Sequence, residues 1–268
     1  MKKLSVFAVA FAALVFASCG GNKSNQPAEQ TDSIKSFEQT QIEAAIKMNV
    51  DSLAAEIGKL KQLPFLQADA KDVIKLTKEE LQVKPDYLLD ANVAENAATL
   101  TEKYRTLGAL EVDKKIAALY EMPTEDYDKA ITKLTADIND PSFKALEDGT
   151  PVAETTQALY DAMEQNGRIN YFWQIASASL IEQLFIINQN SDKFLAAFDD
   201  EAAANVTFRL VLIQDALNRL SEYDPEIQPI AEALSTLESL NATTVSELKS
   251  QLTEAKEKIE AARKAIIG

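Results

Sequence analysis

From Ser33 to the end of the chain, apolar side chains recur at steps of three and four almost without a break. That spacing returns to one side of a helix at each turn, whereas a half-buried strand needs alternation by two. Ile46, Val50, Leu53, Ile57 and Leu60 form such a stripe on a long first helix. Leu89, Val93, Asn96, Leu100, Tyr104 and Leu107 repeat the step, as do Tyr127, Ile131, Leu134 and Ile138. Val152, Thr156, Leu159 and Met163 follow, and Val245, Leu248, Leu252, Ala255, Ile259, Ala262 and Ile266 line a last helix. Alternating β-branched runs bounded by turn residues are missing, and no fixed period marks a solenoid. The expectation is all-α: an irregular multi-helix bundle of roughly ten helices.

The boundaries carry capping chemistry. Thr77 with Glu80, and Thr244 with Glu247, have the spacing of a capping box, in which side chains and backbone N–H groups satisfy each other. Asp140-Pro141, Thr150-Pro151 and Asp224-Pro225 each set a capping residue before a proline suited to a first helical turn. Between the tether described below and the final residue, glycine stands only at 58, 108, 149 and 167. The densest breaks lie near 140–150 and allow a subdivision there. Linkers this short favour one helical domain over 33–268.

The first residues have a different character. Met1-Lys2-Lys3 is positive, Leu4 to Phe16 is apolar except for Ser5, and Ala17-Ser18-Cys19-Gly20 is small. This is the layout of a secretory signal over 1–18, and the apolar run is shorter than the about 20 residues a membrane span needs. The only cysteine, Cys19, directly after small residues, resembles the lipobox of bacterial lipoproteins. The resemblance implies that Cys19 is diacylated and becomes the first mature residue. Residues 19–32 are too polar to fold and read as a tether. In Bacteroidetes lipoproteins an acidic cluster after the cysteine directs export to the cell surface. Gly20 to Gln26 has none, so the resemblance implies an outer-membrane anchor facing the periplasm.

Composition closes off much chemistry. Removing 18 of 268 residues leaves 250, ample for a substantial core. Loss of Lys2 and Lys3 moves the formal charge from −15 to −17. Nucleic acid is excluded as a partner, because its binding rests on cations neutralising phosphates. With no histidine, Ser-His-Asp and Cys-His catalysis are excluded, as is any histidine-bearing metal site. With Cys19 committed to an anchor, thiolate metal sites and disulfides go too. No metal and no cofactor are expected, and carboxylate, lysine, tyrosine or serine–lysine chemistry remains.

One segment has unusual chemistry. Between Ile169 and Ile187 the only charge is Glu182. Ile169, Trp173, Ala176, Leu180, Leu184 and Ile187 make one stripe; Tyr171, Ile175, Ala178, Phe185 and Ile186 lie roughly opposite. A helix apolar on both sides is buried in a larger protein. Glu182 falls inside the second apolar face, and Arg209 lies beside the Val206, Leu210, Ile213, Leu217 and Leu220 stripe of a later helix. A buried charge needs a partner, and adjacent antiparallel helices would let Glu182 meet Arg209. The two charges are expected as an internal ion pair, as groups that snorkel out to water, or as the polar floor of a pocket walled by Trp173, Tyr171 and Gln174.

Other matches carry less. Ser246-Glu247-Leu248-Lys249 fits S-x-x-K, but its companion motifs are absent. Glu125-Asp126-Tyr127-Asp128 and Asp199-Asp200-Glu201 lack calcium-loop spacing and suit helix N-termini. Asp32-Ser33-Ile34 and Asp51-Ser52-Leu53 resemble a tripeptide O-glycosylated in Bacteroidetes, though the second falls within a helix. The reading is a lipid-anchored binding or scaffolding protein without catalytic machinery. It touches the membrane through acyl chains and binds an unknown envelope protein or small ligand. Two alternatives stand beside it: a carrier of a small apolar or amphipathic ligand around 169–190, and a carboxylate-dependent enzyme of envelope polysaccharide.

Overall fold

Every described regular element is a helix. The computed structural model describes the backbone of residues 37–146 and 152–268, with side chains over 44–143 and 156–268. The signal segment, Cys19, the tether, Asp32-Ser33-Ile34 and the Thr150-Pro151 cap lie outside those residues. In the first half come α1 (Phe37–Lys59), α2 (Ala70–Val73), α3 (Lys78–Gln82), α4 (Val93–Asn96), α5 (Leu100–Leu119) and α6 (Glu125–Ile138). The second half holds α7 (Val152–Gln165), α8 (Ile169–Gln189), α9 (Ser191–Leu195), α10 (Asp200–Leu220), α11 (Gln228–Ser235), α12 (Val245–Glu254) and α13 (Lys256–Ile266). Nine of the thirteen reach eight residues or more, so the architecture is the all-α bundle that the periodicity demands.

The centre is α8. It touches α5, α7, α10, α12 and α13, which is why it is apolar on all sides: each face has a neighbour to bury against. Trp173, Leu180, Ile181, Leu184, Ile186 and Ile187 are completely enclosed. A single buried apolar cluster runs on from them, from Val50 in α1 to Ile266 in α13.

The closest crossing is between α5 and α8. A Cβ added to Gly108 would lie 2.6 Å from the Ile175 carbonyl oxygen, so no larger residue fits without the helices parting. Ser179 Oγ ties the same place by donating to the Gly108 carbonyl at 2.9 Å.

Several boundaries differ from the sequence reading. The stripe from Leu89 to Leu107 is not one helix: Thr99 and Glu102 form a capping box that starts α5 afresh. The last stripe is broken at Ala255 into α12 and α13, yet its buried face continues across the break through Leu252, Ala255 and Ile259. Thr77 and Glu80 do form a complete capping box. Thr244 accepts from Glu247 N, but the Glu247 carboxylate turns to Thr243 N instead, so this box is only half made. Asp224 accepts from Glu226 N and shapes a turn, with α11 beginning only at Gln228. Asp140 accepts from Ser142 N ahead of a 3-10 helix, Pro141–Leu146.

Candidate functional site

The α5–α8 crossing is one wall of a cavity of about 330 Å3. Leu107 and Val112 of α5 face Phe172, Ile175 and Ala176 of α8 across it. Ile57 of α1, the following segment through Leu60, Leu63 and Leu66, and Leu159 of α7 extend the apolar lining. Ile213 of α10 adds to it, and one side stays open to solvent. Into this lining project three charged side chains, Glu111, Lys115 and Arg209.

Each of the three has a different environment. Lys115 Nζ donates to the Leu66 carbonyl at 2.9 Å, and burial lowers its pKa. Glu111 is exposed, yet protein rings it closely enough that burial pushes its carboxyl up, against the pull of Lys115 and Lys114. Arg209 donates one hydrogen bond, to the Lys61 carbonyl at 3.0 Å, and makes no ion pair among the described residues. Burial alone shifts its pKa, down to about 10, with no opposing carboxylate; at neutral pH it remains a cation. Gln183, also in the lining, has a buried Oε1 with no hydrogen-bond partner among the described residues.

Glu182 does not meet Arg209. It is completely enclosed, and its partner is Arg263 of α13, which forks onto both carboxylate oxygens at 2.7 and 2.8 Å. The wheel position was legible, but the partner was not. Arg263 lies in the charged stretch of a terminal amphipathic helix, and only the packing of α13 onto α8 directs it inward. There it stacks over Phe185, 4.0 Å from the ring centre. Asp113 of α5 joins this cluster, an acid the sequence reading missed. Its Oδ2 accepts from Leu89 N at 2.8 Å, while its Oδ1 receives no hydrogen bond among the described residues. Burial and the Glu182 carboxylate push its pKa up to about 9. Two acids thus share one cation, and the proton this implies makes Asp113 Oδ1 a donor toward Glu182. Both carboxyls are fully enclosed, so no substrate reaches them.

The expected pocket walls have other duties. Trp173 is fully buried, edge-on to Phe172 at 5.2 Å, with its indole nitrogen unpartnered among the described residues. Tyr171 stacks on Tyr104 at 4.5 Å. Gln174 Oε1 accepts from Arg105 Nε at 2.6 Å, and both side chains donate to the Glu226 carbonyl. None of the three lines the cavity; their chain neighbours Phe172, Ile175 and Ala176 do. Of the expected site residues, only Arg209 reaches it.

The minor motifs resolve into structure. Ser246 is exposed, and Lys249 pairs with Asp192. Asp199 caps α10 through Ala202 N, and Asp200 accepts from Val245 N. Asp126 pairs with Lys129 and Asp128 with Lys114. Asp51 is taken by Tyr160 and Lys47, inside α1. Among the described residues no three metal-binding side chains gather, and no helix is long and apolar enough to cross a membrane. Comparison of the chain with protein families, with curated proteins and with solved structures finds no match.

Proposed function

We propose that this protein is a lipid-anchored component of the bacterial cell envelope that holds a small amphipathic molecule in the cavity between α1, α5, α8 and α10. The observation that carries the reading is a mostly apolar cavity in which, among the described residues, Arg209 makes no ion pair and Gln183 Oε1 has no hydrogen-bond partner. Ligand pockets have that composition, and about 330 Å3 is at the small end of their range of roughly 300–1,000 Å3. A buried polar group left unpaired costs folding energy, and an occupant that pairs it removes the cost. The Cys19 motif supports attachment at the outer membrane, facing the periplasm.

Scaffolding is the second reading. Phe208 and Val211, three residues apart on α10, are 44% and 50% exposed, a small apolar face open to a partner protein.

The test uses the full chain taken from its own membrane in polymer-bounded lipid discs. Small molecules released on denaturation are compared between wild type and Ala176→Phe, which fills the cavity. Ile213→Phe serves as a second variant, and circular dichroism verifies the fold of each. A near-stoichiometric amphipath present in wild type and lost from the filled variants is the expected result. Identical extracts from all three proteins would overturn the reading.

A further inference from the structure

Resting on the cavity reading above, we infer that the occupant is an anionic amphipath, a short-chain carboxylate in its simplest form, whose head sits on the Arg209 guanidinium while its apolar body lies against α5 and α8. The argument begins with charge balance inside the cavity. Glu111, its carboxylate, is offset by Lys115, also in the lining, and by Lys114, which pairs with Asp128. Arg209 has no such compensation. No carboxylate approaches within ion-pair distance among the described residues, and its one hydrogen bond goes to a neutral backbone carbonyl.

A guanidinium carries five N–H donors in a planar fork matched to the two oxygens of a carboxylate. Here one donor bond is made. On the other side of α8, part-buried Arg263 is completed by an acid, forking onto both oxygens of Glu182, while Arg105 is met by the neutral Gln174 amide and Glu226 carbonyl. Arg209 sits among comparable apolar neighbours without the acid, and the space beside it is cavity. The chain is strongly acidic, so an uncompensated cation within it is a local exception. Leu107, Val112, Phe172, Ile175 and Ile213 give the lining a broad apolar face, beside a few neutral polar groups such as Gln183. An anion at one end and a hydrocarbon body over the rest satisfy both demands.

The experiment titrates the full-length protein in lipid discs with decanoate, decan-1-ol and decylamine, each labelled with 13C at the head carbon and read by NMR. Empty discs and the cavity-filled Ala176→Phe protein correct for partition into lipid. Wild type is expected to hold decanoate at least tenfold more tightly than the other two. Arg209→Gln should lose that preference and leave decanol binding unchanged, and Arg209→Lys should restore it in part. Equal affinity for decanoate and decanol, or tighter binding of decylamine, both abolished by Ala176→Phe, would overturn the anionic head and leave the cavity reading standing. Absence of cavity-dependent binding by all three probes would overturn both.

Discussion

Asp113, Glu182 and Arg263 place two carboxyls and one guanidinium where neither acid touches solvent, and the consequence is a proton held against its usual tendency. Asp113 sits at about 9 in the folded protein because burial and the Glu182 carboxylate both disfavour its ionisation. Burial raises Glu182 as well, but the Arg263 fork opposes that and keeps it the ionised member. Burial also pushes the Tyr87 and Tyr127 hydroxyls up, so both stay neutral beside the site. Between the usual carboxylate range and about pH 9, the native state retains a proton the unfolded chain has released. Stability therefore falls as pH rises through that window, by up to about 1.4 kcal/mol per pH unit for one proton. Asp113→Asn keeps a donor for Glu182 and an acceptor for Leu89 N but carries no titrating group. Urea denaturation of the two proteins from pH 5 to 8.5 should give a shallower slope for the variant. Parallel curves would mean that Asp113 ionises freely in the native state.

At the level of elements, the α5–α8 crossing both builds the core and fixes the cavity wall. Gly108 is where the two backbones approach most closely, and two glycine substitutions test this with opposite signs. Gly108→Ala forces a methyl group toward the Ile175 carbonyl; overpacking of this kind costs about 1–3 kcal/mol. Gly58→Ala, in the last turn of α1, meets only the flexible end of Gln157 at 3.1 Å. There the gain in helix propensity, at most about 1 kcal/mol, leaves the change neutral or stabilising. Equal denaturation midpoints for the two variants would contradict the close crossing. Helix ends make the same point about local and distant causes. With glycine scarce, α6 is closed by Asn139 in a left-handed conformation, its N–H bonded to the Thr135 carbonyl. Positive-φ glycines follow α7 and α13, at Gly167 and Gly268.

The whole molecule combines an acidic folded body with an anchor expected at Cys19. A formal charge of −15 over the full chain gives no electrostatic attraction to anionic lipid, and no described helix is long and apolar enough to cross a bilayer. The motif at Cys19 predicts attachment through acyl chains, which contribute about 0.8 kcal/mol per buried CH2. Cys19→Ala should move the protein from the membrane fraction to the soluble one when cells are fractionated. A variant that still sediments with membranes would refute the anchor.

Sequence alone determined the class of fold, because a 3.6-residue periodicity is a local property that survives whatever the helices pack against. It also marked α8 as central, since a helix apolar on every side must be surrounded, and it placed Glu182 in the core by the same wheel geometry. Its limits are equally physical. The cap at Thr99 and the break at Ala255 interrupt stripes whose spacing continues across them, so periodicity alone does not register them. Which cation answers Glu182 depends on how α13 docks, which no local pattern encodes; thus Arg263 took the place expected of Arg209. The cavity is the clearest case of what tertiary structure decided. Its walls come from α1, α5, α7, α8 and α10, segments far apart in the chain, and an empty volume is a property of how surfaces fail to meet. Arg209 was legible as a charge inside apolar surface, but that it faces space and not an acid is a fact of packing alone.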